Sequence, residues 1–193
     1  ASTFGAMNEW GPLAALAGTW EGNDGLDVSY HNVRGAVGET GYFEKVDLKP
    51  FGPVENGKQS LYGLDYRMAA WRHGEEDQNP FHTEVGYWLW DAADGQVMRC
   101  FMVPRGAVLI AGTACAPDAK TFTMQADPGV ATYGILENAY LASRASTRHY
   151  ECTVTVLDDT SWRYESDTVV HLESMGGEMH HTDRNTLRKV ADG

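Results

Sequence analysis

Along most of this chain apolar and polar side chains alternate with a period of two, the pattern of a β-strand that buries one face. Tyr150, Cys152, Val154 and Val156 stand on one side of such a segment, and His149, Glu151, Thr153 and Thr155 on the other. From Trp162 onward Trp162, Tyr164, Thr168, Val170 and Leu172 are set against Arg163, Glu165, Asp167 and His171. Asp158-Asp159-Thr160 joins the two runs, which predicts a hairpin. The same reading predicts strands over Leu16–Gly22, Glu39–Leu48, Leu61–Arg72, Thr83–Asp91, Gln96–Val103, Ala107–Ala114, Thr121–Ala126 and His181–Val190, separated by turns such as Ala93-Asp94-Gly95 and Pro117-Asp118.

About ten short strands at hairpin spacing predict an all-β sandwich or barrel. Closing the sheet removes the exposed edges that so many strands would otherwise leave. The expected fold is therefore a single antiparallel up-and-down β-barrel. Trp10–Ala17 and Ile135–Ala142 have helical spacing and predict two short helices, either a lid or plug on the barrel or simple connectors. Val85, Tyr87, Trp88, Leu89 and Trp90 are apolar on both faces, which suits either a lined cavity or an outer face covered by the N-terminal helix. The expected layout is an N-terminal extension over residues 1–12, of which Ala1 to Ala6 read as a cloning remnant, a ligand-binding barrel over 13–190 and a tail over 191–193.

Composition narrows the partners. The 193 residues suit one domain, and 42% hydrophobic with 22% charged side chains is ordinary for a globular protein. A net charge of −12 repels phosphate backbones, and the dense basic cluster is limited to Arg184, Arg188 and Lys189, so nucleic acid is excluded as a partner. No apolar run reaches the ~18 residues of a membrane span, and the first ten residues lack the layout of a signal peptide. Cys100, Cys115 and Cys152 are odd in number and lack C-x-x-C spacing, which predicts buried thiols in a reducing cytoplasm.

Histidine is the side chain best suited to chemistry here. His180 and His181 are adjacent at the start of the last predicted strand, so at most one of them faces inward. An inward imidazole there suits a haem iron as its protein ligand, while a solvent-facing pair in a turn is the plain alternative. His82 and Glu84 share one strand face and fit a carboxylate-oriented imidazole, a base pair acting on an organic ligand, or a salt bridge at the rim. Tyr42, Tyr62, Tyr66, Trp88 and Trp162 are candidates for a pocket lining or for packed core. Arg184, in the polar run Asp183-Arg184-Asn185, would need an anion such as a ligand carboxylate or haem propionate if it points inward, and is an ordinary surface arginine if it points outward. The chain has no G-x-S-x-G elbow, H-E-x-x-H helix or phosphate loop, so hydrolase and kinase readings lack support.

Gly18-Thr19-Trp20-Glu21-Gly22, Phe81-His82-Thr83-Glu84-Val85-Gly86-Tyr87-Trp88, the Arg105-Gly106-Ala107-Val108 turn and the terminal strand ending Leu187-Arg188-Lys189-Val190 occur in an order and spacing that resemble the nitrobindin family. These are haem-binding β-barrels related in shape to fatty-acid-binding proteins, and the likeness runs from about Leu13 to Val190. The resemblance implies a ten-stranded barrel of lipocalin-like or fatty-acid-binding-protein-like form, holding haem b through one histidine near the C-terminus, with nitric oxide binding and isomerisation of peroxynitrite to nitrate as its chemistry. It implies His181 as the iron ligand, or His180 in its place; a gapless match of the last strand falls on Thr182, and a shift of one residue reaches His181. The stretch Asn23-Asp24-Gly25-Leu26-Asp27 departs from the family's usual first loop, and His181-Thr182-Asp183-Arg184-Asn185 is more polar than the family's strand. A haem-free carrier of a fatty acid or other small apolar ligand, with Arg184 meeting its acid group, is the second expectation.

Overall fold

A computed structural model describes residues 8–192, so Ala1 to Ala6 and the terminal Gly193 lie outside the described residues. The strands are β1 (Gly18–His31), β2 (Ala36–Asn56), β3 (Gln59–Arg72), β4 (His82–Asp91), β5 (Gln96–Val103), β6 (Ala107–Ala114), β7 (Thr121–Pro128), β8 (Gly134–Glu137), β9 (Ala145–Asp158), β10 (Ser161–Leu172) and β11 (Gly177–Ala191). They close into a barrel in the order β1-β11-β10-β9-β7-β8-β6-β5-β4-β3-β2. The all-β barrel agrees with the period-two pattern, but it has eleven strands and one parallel pair, not ten strands all antiparallel.

The extra strand comes from a segment whose spacing predicted helix. β6 and β7 pair only at Gly112 and Gln125 and then separate. β8 fills the gap, antiparallel to β6 and parallel to β7 at Asp127 with Gly134 and Pro128 with Ile135. Ile135 is buried and Leu136 is exposed, so the segment has a two-sided strand pattern. Asn138 ends it: its side-chain oxygen accepts the Leu141 N–H at 3.0 Å, capping the short helix α1 (Ala139–Arg144).

The predicted N-terminal helix is a kinked 3-10 helix, Asn8–Leu16, interrupted at Gly11 with φ of 53° and followed by Pro12. Gly11 is required twice over. Its φ is left-handed, and a β-carbon there would lie 2.5 Å from the Trp90 ring. The Trp10 indole donates to the Gly63 carbonyl at 2.9 Å and the Trp20 indole to that of Leu16 at 2.8 Å, so the helix plugs one end of the barrel. Inside that end Trp20, Trp88 and Trp162 meet edge to face with ring centroids 6.0 Å apart.

Strand phase decides what faces inward. On β4 Trp88 and Trp90 are buried inside, while Tyr87 is exposed and meets Phe51 of β2 at 5.3 Å between centroids. Phe51, not the N-terminal helix, therefore packs on the outer face of that doubly apolar strand. β1 changes phase at a bulge: Trp20 and Gly22 face inward, Asn23 and Asp24 are exposed, and Gly25 and Asp27 return to the inside. β11 alternates without interruption against β10, from Ser161 paired with Arg188 to Leu172 paired with Gly177. Met179, His181, Asp183, Asn185 and Leu187 thus share the inner face, and Thr182 faces out.

Candidate functional site

The barrel encloses a cavity of about 930 Å³. Its closed end is the tryptophan layer; its mouth is formed by the turns that follow β1, β3, β5 and β10, together with α1. Tyr42, Tyr66, Trp88 and Trp162 all line the cavity, whereas Tyr62 packs outside it against Trp10 at 4.7 Å between centroids. The lining includes five arginines and no lysine: Arg99 is buried, and Arg34, Arg72, Arg105 and Arg144 are exposed around the mouth. The lining also holds six carboxylates, Asp27, Glu44, Glu84, Glu137, Glu173 and Asp183, and Arg72 and Arg144 already pair with Glu75 and Glu173, so among the described residues Arg34 and Arg105 are the mouth cations not paired with a carboxylate.

His181 is the inward histidine of the adjacent pair. Its Nε2 lies 2.9 Å from Oδ2 of the buried Asp27 and 3.7 Å from Oδ2 of Asp183. Burial opposes a charged imidazole, but the hydrogen bond to Asp27 and the two carboxylates outweigh it and raise the His181 pKa. Burial likewise opposes ionisation of Asp27, yet its bond to His181 holds it below the usual carboxylate range; Asp183, with burial dominant, is pushed up to about 7.

Two expectations from the sequence are corrected by strand phase. His180 points outward, is largely exposed and bonds Asp167 at 2.7 Å, so it does not reach the cavity. Arg184 also points outward, into an outer cleft beside Leu26, Thr182 and Glu165, and cannot meet the acid group of an enclosed ligand. Neighbouring strand residues face opposite sides, so with His181 and Asp183 inside, His180 and Arg184 must be outside. The same alternation puts Thr182 outside and brings His181 inward with no bulge between β10 and β11.

Deeper in the cavity lie two polar networks centred on Arg99 with Glu84 and on Glu44; Arg99 and Glu44 are charges not singled out from the sequence. Glu84 accepts from Arg99, from the Tyr66 hydroxyl at 2.8 Å and pairs with His82 at 2.7 Å; Arg99 also donates to the hydroxyls of Tyr66 and Tyr150. The Arg99 guanidinium lies 4.0 Å from the centre of the Phe101 ring. Against its burial, Arg99 and His82 hold Glu84 down at about 2. His82 and Glu84 do share a face as predicted, but Glu84 is committed to Arg99 as an ion pair. In the second network Glu44, fully buried, accepts from Tyr164 at 2.6 Å and Asn185 at 2.9 Å, and Tyr42 meets Tyr164 at 2.7 Å. Burial pushes Glu44 up to about 7 despite these donors. The signal for both networks was a charge in the apolar phase of a strand: Arg99 between Val97 and Phe101, Glu44 between Tyr42 and Val46.

The three cysteines are free, and burial pushes Cys100 up to about 11. Among the described residues no helix is long and apolar enough to cross a membrane.

Comparison with known proteins agrees with this architecture. The crystal structure of Rv2717c from M. tuberculosis matches with a TM-score of 0.61 and 17% identity over 92% of this chain and 94% of that one, a likeness of fold. The S-type phycobiliprotein lyase CPES from Guillardia theta aligns over 98% of both chains with 11% identity, but its TM-score of 0.44 gives it no weight. No curated protein matches the sequence. A family model described as the THAP4-like, heme-binding beta-barrel domain matches residues 9–189. With the barrel, its cavity and nearly the whole sequence accounted for, the chain belongs to the THAP4-like, heme-binding β-barrel family, in line with its resemblance to the nitrobindins.

Proposed function

We propose that this chain binds haem b in the barrel cavity, with His181 as the iron ligand. The observation that carries this reading is an inward imidazole, tied to a buried carboxylate, inside a cavity of about 930 Å³. Metal-ligating histidines generally hold a carboxylate or carbonyl through one ring nitrogen and the metal through the other; with Nε2 of His181 on Asp27, Nδ1 is the nitrogen that would take the iron. The lining supports the group in part: Trp88, Phe101, Trp162 and Leu109 give apolar area, and Arg34 and Arg105 at the mouth are cations that would meet acidic side chains of an enclosed ligand. A bound haem supplies an iron position for nitric oxide or for the isomerisation of peroxynitrite to nitrate, the chemistry that the nitrobindin resemblance implies. The protein's own part is to orient the imidazole through Asp27, exclude bulk water behind the tryptophan layer and neutralise acidic groups at the mouth.

Titration of the purified protein with hemin tests this. A sharp Soret band at one haem per chain is expected in wild type and in His180→Ala, and its loss in His181→Ala. A wild-type spectrum no different from free hemin refutes the reading. The alternative, a haem-free carrier of a fatty acid or other small apolar ligand, is favoured by the same cavity, with a mouth arginine such as Arg105 in the role considered for an inward Arg184. That reading expects no specific Soret band and saturable uptake of a fluorescent fatty-acid analogue.

A further inference from the structure

The neighbouring strands β4, β5, β6 and β8 turn an uncharged face to the outside of the barrel. Tyr87, Cys100 and Ile110 stand side by side in one row of that face, and Val85, Met102, Val108 and Leu136 in the next. The charges within these strands, Glu84, Arg99 and Glu137, all line the cavity, so the outer face from Thr83 to Leu89 and across to Leu136 carries none. The chain has 27 acidic and 15 basic residues, and elsewhere its outer face shows them: β10 places Arg163, Glu165 and Asp167 outward. Folding requires apolar side chains on the inner face of the barrel only, because the outer face of such a sheet can be polar and solvated. The patch is also large. Tyr87 and Met102 are 51% exposed, Val108 41%, Ile110 45% and Leu136 75%. At these exposures the five side chains offer on the order of 400 Å² of apolar surface, within the ~300–600 Å² of the largest patch on a typical monomer, which is often functional.

We propose that this face is where a second copy of the chain docks, forming a two-fold dimer with the two sheets packed face to face. An uncharged sheet offers no charge for a basic or acidic partner to match, whereas a second copy presents a face of equal size and the same character. A two-fold contact uses that one patch twice. Two such patches remove on the order of 800 Å² of apolar surface, and the polar positions around them carry the contact towards the ~1,200–2,000 Å² of a stable interface. The rim has the composition this requires: on β3, Asp65 stands beside Tyr87 and Arg67 beside Val85, so the apolar centre gives way to charges of both signs. A lipid surface calls instead for a rim rich in cations. Each copy carries a net charge of −12, so the apolar contact forms against a mutual repulsion that salt screens. None of these outward side chains lines the cavity, and the proposal stands apart from the haem reading.

Sedimentation equilibrium of the full chain across the micromolar range tests it, with twice the chain mass of 21.2 kDa expected for wild type. Raising the salt concentration is expected to tighten the dimer; loosening by salt contradicts an apolar contact. Met102→Lys sets a charge in the middle of the contact twice over, once from each copy, and is expected to weaken dimerisation at least about tenfold. Ile110→Lys gives the same readout should Met102→Lys fail to fold, which circular dichroism checks. Val33→Lys, in the exposed turn between β1 and β2, is expected to leave the dimer as in wild type, and hemin uptake is expected to be the same in all of these variants. A dimer that both Met102→Lys and Ile110→Lys leave intact overturns the placement on this face. A wild-type chain that stays monomeric overturns the second copy as the occupant, and flotation of that monomer with phosphatidylcholine vesicles, lost in Met102→Lys, assigns the face to lipid instead.

Discussion

Arg99→Met removes a cation from the interior of the barrel and leaves Glu84 behind. Both side chains are nearly buried, at 10% and 12% exposure, so water screens the pair weakly. Breaking a buried ion pair by deleting one partner costs about 3–5 kcal/mol, because the remaining charge stays desolvated. His82, 2.7 Å from Glu84, retains part of the compensation, which sets the expected loss at the lower end, about 3 kcal/mol. The pH dependence gives a second handle. Glu84 is lowered from 4.5 to about 2, so its pairing stabilises the fold above pH 4.5 and is lost as pH falls towards 2. Those 2.5 pH units correspond to about 3 kcal/mol in wild type. In Arg99→Met the acid-side loss shrinks, since Glu84 no longer has its main partner. Urea unfolding followed by tryptophan fluorescence at pH 7 and pH 3 reads both effects. Adding Glu84→Gln to Arg99→Met is expected to recover most of the loss at pH 7, because no bare charge remains. A single variant within 1 kcal/mol of wild type at pH 7, or with an undiminished acid-side loss, refutes the reasoning.

Glu44 acts in the opposite direction: its pKa is raised from 4.5 to about 7, so its contribution is complete below pH 4.5 and is lost as pH rises through 7. Glu44→Gln is expected to flatten the fall in urea midpoint between pH 4.5 and pH 8, and an unchanged slope contradicts the burial assigned to that carboxyl. Gly11→Ala forces a side chain into left-handed backbone and against the Trp90 ring, at a cost of about 1–3 kcal/mol. A fall of several degrees in Tm checks it, and an unchanged Tm removes the plug role from that turn.

Period-two alternation was sufficient to read the barrel, because burying one face of a closed sheet leaves a mark at every second residue. Glu39–Leu48 and His181–Val190 fall inside β2 and β11 for that reason, although both strands run further into polar sequence at their ends. β8 was not legible: four residues carry too little pattern, and its pairing depends on where β6 and β7 part. The site was half legible. His181, Tyr42, Tyr66, Trp88 and Trp162 stand on faces the pattern could name, but the choice between His180 and His181 needed the unbroken register of β11. Asp27 was hidden by the bulge, which breaks the alternation and makes Asn23 to Asp27 read as loop. The face of Arg184 stayed open in the sequence because a polar residue on a strand carries no mark of which side it occupies until its neighbours are placed.

Haem binding in this barrel rests on the side chain at position 181 holding the iron. His181→Gly opens a gap beside Asp27 that free imidazole can occupy, so a hemin titration of this variant with and without added imidazole is the direct measurement. No specific Soret band is expected without imidazole and its return is expected when imidazole is added, while the His180→Ala protein shows the band with or without imidazole. A Soret band in His181→Gly equal to that of wild type, with no response to imidazole, contradicts it.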